Sequence, residues 1–308
     1  MRVDARARDL LTPLAGEATV LAEGAYDGWL DAERRLLAIA GRHPGTPDLT
    51  ALVGERAGGR LRAALARELP GEQKAGTPLY LILDDLAGAS LVAPWAWSCW
   101  DPDWHAEMQR TKAHPRFAAI FASKENICSG LRTGSSGLAF GAAGALASSL
   151  VDPADPAGWH ALPDGPGTRF RRARRIDVRR GRGTPEERIV IDAHFQDSAA
   201  TPEGERSVVH EYRLRASADA GSGLLLAIEA EPRVLPFPEC VPAAANVARL
   251  IGTPIQSLRE TVLEMLRGTA GCTHLNDALR ALAEVPVLAA ALTSDARAPA
   301  QPMMEEEI

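Results

Sequence analysis

Residues able to pass protons or hold a metal fall in four short stretches of the sequence. Asp192 and His194 stand two apart with Asp197 just beyond; His210 and Glu211 follow; Cys240 ends Pro-Phe-Pro-Glu-Cys; Cys272 and His274 lie in Cys-Thr-His. Alternate residues of a strand share a face, so Asp192 and His194 point the same way. A hairpin centred near Pro202 sets His194 level with His210 and Asp192 near Tyr212, gathering a carboxylate and two imidazoles on one face. Imidazole titrates near neutrality, so such a group can transfer protons while an aspartate fixes the tautomer. The alternative is a pair of structural histidines satisfied within a sheet. Cys240 and Cys272 each precede a predicted helix, whose N-terminal field favours a thiolate; equally, Thr273 could cap that helix and leave Cys272 merely buried. Cys240, Cys272, His274 and one of His194 or His210 also offer zinc donors, although the chain has no CxxC or HExxH pair.

Two further clusters bear on binding. Arginines stand at 169, 171, 172, 174, 175, 179, 180 and 182, the one strong positive concentration in a chain of net charge −6. They read as a solvated strand face or an interdomain clasp, or else as an anion site in which Arg172 and Arg175 fork onto a carboxylate or the phosphates of a coenzyme A thioester. Trp95, Trp97, Trp100 and Trp104 crowd into ten residues. They cap a core or a subunit interface, or wall a pocket for a flat hydrophobic substrate. The Gly-, Ala- and Ser-rich stretch 134–149 lacks both a Walker lysine and the GxGxxG spacing, so close helix packing is its expected role.

The elements that must position these residues follow from period and punctuation. Apolar residues at three-and-four spacing predict two short helices within 5–42, and a third over 48–68 with Leu49, Leu52, Val53, Leu61, Leu65 and Leu69 as its buried stripe and Pro70-Gly71 as its stop. Residues 78–94 alternate short apolar runs with turn formers and read as strand or strand-to-loop. Four runs, 172–179, 188–195, 207–216 and 224–231, are separated by Gly- and Pro-containing turns and predict a meander. Helical spacing returns at 242–251, 254–267 and 273–284. The expected fold class is therefore α+β, an antiparallel meander of about four strands packed with helices and preceded by a mainly helical region. The domain plan is 1–151 helical with the Trp cluster, 152–168 a Pro/Gly-rich linker, 169–293 the α+β domain, and 294–308 a disordered tail.

At 308 residues, 46% hydrophobic and 24% charged, the chain holds one large domain or two modest ones. Its acidic balance argues against general nucleic-acid binding, which needs a basic surface. No stretch reaches the roughly 20 apolar residues of a bilayer span, the longest candidate being 138–150, and the first residues carry acidic groups where a signal peptide keeps an apolar segment. A cytoplasmic protein with no membrane or nucleic-acid partner is expected, with self-association left open. Four cysteines are too few for a disulfide scaffold.

From about 170 to 292 the sequence resembles the bacterial domain-of-unknown-function family 2889. The matching segments are Arg-Arg-Ile-Asp-Val at 174–178, Val-Ile-Asp-Ala-His-Phe-Gln-Asp at 190–197, Val-Val-His-Glu-Tyr at 208–212, Pro-Arg-Val-Leu-Pro-Phe-Pro-Glu-Cys at 232–240 and Cys-Thr-His-Leu-Asn-Asp at 272–277. The resemblance implies emphasis on Asp192, Asp197, His210, Cys240, Cys272 and His274, with His194 typical of longer members only. Leu-Asp-Asp-Leu-Ala-Gly-Ala-Ser-Leu at 83–91 and Ile-Cys-Ser-Gly at 127–130 resemble the N-terminal extension of those longer members. There an Ala-Gly-Trp commonly follows the cysteine, and Ser129-Gly130-Leu131 departs from it. The resemblance further implies an association with the catabolism of acyl-coenzyme A and aromatic compounds.

The leading expectation is a catabolic enzyme acting on a hydrophobic aromatic or acyl substrate, in some cases coenzyme A-linked, as isomerase, lyase or hydrolase. His210 is its acid or base, Asp192 orients an imidazole, His274 polarises a carbonyl or donates a proton, and Cys272 is a thiolate, an acylated nucleophile or a packing partner. Trp95, Trp97, Trp100, Arg172 and Arg175 are its expected substrate contacts. The rivals are a non-catalytic ligand-binding or accessory protein of such a pathway, and a zinc-dependent hydrolase using Cys240, Cys272, His274 and His210.

Overall fold

The computed structural model describes residues 1–13, 17–115, 122–139, 145–146, 157–161, 167–181 and 188–295. The chain opens as strands: β1 (Arg2–Leu11), β2 (Thr19–Leu30) and β3 (Leu36–Gly41) form an antiparallel sheet in that order. This corrects the two helices expected within 5–42. Val3, Ala5 and Ala7 alternate with Arg2, Asp4, Arg6 and Arg8, and exposure along β1 follows that period of two. The three-and-four spacing farther along arises from leucines belonging to different strands.

Helices cover one side of this sheet. A 3₁₀ turn at Thr50–Leu52 and α1 (Gly59–Glu68) replace the single helix expected over 48–68, and Pro70 starts α2 (Pro70–Ala75) instead of only stopping α1, since proline fits the first helical turn. Leu49, Leu52, Leu61, Leu65 and Leu69 are buried as expected, whereas Val53 is exposed. Residues 78–94, expected as strand, are mostly α3 (Pro78–Val92). Thr77 accepts from the Tyr80 N–H at 3.2 Å and Pro78 sits in the first turn, a helix start that outweighs the turn formers inside the run. With the 3₁₀ segment Ala93–Cys99, the helical stretch Pro78–Cys99 is long and apolar enough to cross a membrane, contrary to the expectation that none is. Here most of it is buried, with Leu79, Tyr80, Leu83 and Leu86 packed on Tyr26, Leu36, Leu61 and Leu65. Next comes α4 (Trp104–Ala113).

The expected meander is present: β5 (Phe170–Arg180), β6 (Arg188–Ala200), β7 (Arg206–Asp219) and β8 (Leu225–Val234), each antiparallel to the next. A short β4 (Ala145–Leu146) joins the outer edge of β7 beside β8, within a stretch expected as packed helix. Residues 140–144 and 147–149 of that stretch lie outside the described residues, as do 152–156 and 162–166 of the expected linker and 296–308 of the expected tail. The described part of the linker packs on strands: Ala157 accepts from Arg8, and His160 accepts from Arg171 at 3.1 Å.

Behind the sheet lie α5 (Pro242–Ala245), α6 (Leu258–Met265), α7 (Thr273–Ala281) and α8 (Val285–Asp295), linked by 3₁₀ turns including Pro238–Cys240 and Leu282–Glu284. Odd-numbered residues of β6 up to Phe195 pack with Tyr212, Leu214 and Ala216 of β7 against Val247, Leu250, Leu258, Val262, Leu275, Leu279 and Leu282.

Each sheet thus has its own apolar core, a third and smaller one forms where Val92, Trp95 and Ala96 meet Ala199 of β6 and Val209 of β7, and charge joins the two halves beside it. Asp84 and Asp85 of α3, Asp197 of β6, Asp277 of α7 and Glu284 meet Arg62 of α1, Arg172 and Arg174 of β5, Arg259 of α6 and Arg280 of α7. Five carboxylates balance five guanidiniums. Arg62 reaches Asp277 at 2.7 Å and Asp84 at 3.1 Å, and Arg280 reaches Asp84 at 2.8 Å. A buried charge is tolerated only when paired and hydrogen-bonded, so the two halves must seat in one relative position. Gly88 permits that approach, because a Cβ there would overlap both the Asp277 carboxylate and the Arg172 guanidinium.

Gly88→Ala is therefore expected to lower the unfolding free energy by about 3 kcal/mol through the parted ion pairs. Gly71→Ala, whose added carbon meets open space, should change it by less than about 0.5 kcal/mol. Urea denaturation of both variants measures this, and equal midpoints would refute the role given to Gly88.

Candidate proton-transfer site

Asp197 and His210 are partners across β6 and β7, immediately before a bulge at which Val209 is the extra residue on β7. Asp197 is fully buried and His210 nearly so. Arg172, on the neighbouring β5 and also paired in register with Asp197, donates from Nε at 2.8 Å and Nη2 at 2.9 Å to the two Asp197 oxygens and from Nη1 at 2.8 Å to Asp277. His210 Nδ1 lies 3.4 Å from Asp197 Oδ2, too far out of line for a full hydrogen bond.

The N-terminus of α7 completes the group. Cys272 occupies the N-cap position and His274 the first turn, which lays the His274 ring on His210 with centroids 3.5 Å apart and planes 21° from parallel. His274 Nδ1 is 3.4 Å from Thr273 Oγ1 and 3.8 Å from Cys272 Sγ. Its Nε2 is buried with no hydrogen-bond partner among the described residues.

Burial and neighbours set the charge states. Burial would raise the Asp197 carboxyl, but Arg172 and then His210 outweigh it and hold that group ionised far below the ordinary carboxylate range. Burial lowers His210 despite Asp197, and lowers His274 strongly, with the nearby His210 and Arg172 adding to the effect. At neutral pH the pair is two neutral imidazoles beside an anchored carboxylate.

The expected face of Asp192, His194 and His210 is not formed. The pairing runs Asp197 to His210, His194 to Arg213 and Asp192 to Arg215, three residues from the expected register, and an odd shift moves residues to the opposite face. The Thr201 N–H donates to Glu205 O at 2.9 Å and Gly204 adopts a left-handed φ of 85°, which centres the hairpin beyond Pro202. His194 instead contacts Glu211 at 3.1 Å and the edge of Trp159 at 5.6 Å, and Asp192 pairs with Arg213 at 2.9 Å. The carboxylate beside His210 is Asp197, not Asp192.

The cysteines do not behave as activated thiols. Burial pushes Cys272 up despite its helix N-terminus, the Tyr212 hydroxyl donates to it at 3.4 Å, and burial carries Cys240 up to about 12. This removes the basis for a Cys272 thiolate or acylated Cys272. Among the described residues the group whose donor atoms all lie within 4.8 Å of one another is Asp197, His210 and His274, without Cys240 or Cys272. Near-parallel rings send their lone pairs along near-parallel planes, which do not meet at an ion about 2.1 Å from both nitrogens. Both Asp197 oxygens are already held by Arg172, so the geometry suits proton transfer better than zinc.

The expected substrate contacts also move. Arg172 is sealed between Asp197 and Asp277 and cannot serve as an anion site, and Arg175 pairs with Asp177 at 2.8 Å on the outer face. Trp95 is a packing residue with Val92, Ala199 and Val209, Trp100 donates to Ala200 O at 2.7 Å, and Trp97 points outward. Sequence reasoning passed over Asp84, Asp85 and Asp277. Two adjacent carboxylates inside the apolar run 78–92, opposite an arginine-rich strand, were the available signal.

The model of the family "Protein of unknown function (DUF2889)" matches residues 170–288, bearing out the resemblance over β5 to the start of α8. No curated protein and no solved structure matches the chain. Arg172, Asp197, His210, Cys272, His274 and Asp277 lie inside the matched segment; Asp84, Asp85 and Gly88 lie before it.

A pH titration followed by imidazole nitrogen NMR should place both His210 and His274 below the ordinary value of 6.5. The unfolded chain takes up protons near that pH while the folded chain does not, so stability falls as pH drops through it. Either ring titrating above 6.5 would overturn this assignment. Asp197→Asn, which takes from the buried Arg172 one of its two close carboxylates, should cost about 3 kcal/mol of stability and move His210 lower still.

Proposed function

We propose, for a chain whose residues 170–288 match the model of the DUF2889 family, that the protein is an enzyme working by acid–base chemistry. The carrying observation is the unpartnered Nε2 of His274, on a ring stacked against His210 and backed by Asp197 and Arg172. A neutral imidazole with an unoccupied ring nitrogen can take a proton from a bound substrate and return it to another of its atoms. His274 is the acid–base residue. His210 disfavours the charged form of His274, so the proton is held only in passing. Asp197 and Arg172 act as positioning residues by fixing the His210 edge of the pair.

The substrate class is a hydrophobic aromatic or acyl compound, coenzyme A thioesters included, and the reaction is isomerisation, lyase cleavage or hydrolysis. Phe195 and Tyr212 share the strand face of Asp197 and His210 and are packed in the core there, so the imidazole pair stands at the edge of an apolar interior, the kind of surroundings that suits such substrates. Four free thiols, three of them buried, support a reducing compartment and thus the cytoplasm.

The test incubates the protein in deuterated water with a panel of aromatic and aliphatic acyl-coenzyme A thioesters and the corresponding free acids, followed by mass spectrometry. Conversion of a panel member, or deuterium uptake at carbon, is expected for the wild type, with a loss of about 100-fold or more in His274→Asn and His210→Ala. Binding without either change in any member would favour an accessory, non-catalytic protein. Rates unchanged in both variants would refute the site. Chelator dialysis should leave the rate intact, and loss restored by zinc would favour the metallohydrolase.

A further inference from the structure

We infer that the exposed face of the tryptophan turn is a second binding site, for a small organic cation of the alkylated-ammonium class. Trp97, within the 3₁₀ segment Ala93–Cys99 after α3, and Trp104, at the start of α4, line a groove of about 310 Å³ with Asp101, Glu107, Met108 and Thr111. On α4 the residues 104, 107, 108 and 111 fall on one helical face by their spacing, so sequence and geometry agree on a single wall. Trp97 stays 55% exposed, although its neighbour Trp95 is buried and Trp100 is hydrogen-bonded to a strand end.

The lining is chemically selective. Two indoles offer negative π faces, Met108 offers a polarisable thioether, and two carboxylates supply net negative charge, with no lysine or arginine among the lining residues. Among the described residues neither Asp101 nor Glu107 is ion-paired. The Asp103 N–H donates to Asp101 Oδ1 at 2.9 Å and the Trp104 N–H donates to Asp101 O at 3.2 Å, so the turn holds the Asp101 carboxylate before any ligand arrives. An anion would be repelled here, and a neutral apolar molecule would leave both carboxylates unanswered. A cation with methyl groups on nitrogen satisfies rings and carboxylates together, because it loses little hydration when it lies on an aromatic face. The volume suits a small molecule. The site shares no residue with His210, His274 or their supports and stands whether or not the proposed enzymatic function does.

The test follows the indole N–H signals of Trp97 and Trp104 by NMR as tetramethylammonium is added to the full-length protein, with tert-butanol as the neutral probe of similar size. Tetramethylammonium should shift both signals saturably, weaken about fivefold or more in Trp97→Ala and in the double variant Asp101→Asn/Glu107→Gln, and weaken with added salt. The double variant keeps the turn acceptor at position 101 and so guards against a folding defect in Trp97→Ala. His274→Asn should bind like wild type. Equal shifts with tert-butanol, or no saturable shift with the cation, would overturn the proposal.

Discussion

Arg172 holds two carboxylates from different parts of the chain at once, Asp197 beside the imidazoles and Asp277 on α7. Burial disfavours its charge, but Asp197 foremost, then Asp277 and Asp85, outweigh that and hold the cation more firmly than in water. It also lies over the Phe195 ring at 4.8 Å, so one face packs while the edge bonds. Everything around it follows from a guanidinium that cannot move without stranding a buried anion. The α3 helix approaches at Gly88, α1 sends Arg62 to Asp277, and α7 is held with His274 over His210.

This arrangement accounts for the state of the site. The buried carboxylate stays ionised because a cation is bonded to both its oxygens, and that same cation helps keep the nearby imidazoles neutral. A carboxylate without Arg172 would draw a proton onto His210 instead. The clasp expected of the arginine run is thus real at Arg172 and Arg174, where the partners are buried. At Arg175, on the outer face, the run is ordinary surface pairing of little energetic weight.

The α+β class, the four strands of the meander and the helices behind it were legible because Gly- and Pro-rich turns punctuate clean changes of period. The N-terminal sheet was not, since the short period of Val3, Ala5 and Ala7 competes with leucines that mimic helical spacing. The α3 helix hid behind glycine and alanine inside an apolar run, although Thr77-Pro78 is a strong helix start. The members His210 and His274 were legible from residue type, and Asp197 through the family resemblance. Their grouping was not, because a hairpin register decides which face each residue takes, and a loop displaced from Pro202 reversed the expected partners of His194 and Asp192. Thiol chemistry was misjudged for a related reason: a helix N-terminus favours a thiolate, but burial of Cys272 dominates.

If the ionic seam makes the two cores one cooperative unit, native-state hydrogen exchange resolved amide by amide shows it most directly. Amides of α3 around 83–88 and amides of β6 and β7 flanking Asp197 and His210 should open together, with one free energy and one dependence on denaturant. Exchange of α3 through a separate, lower-energy opening that leaves β6 and β7 fully protected would contradict the account.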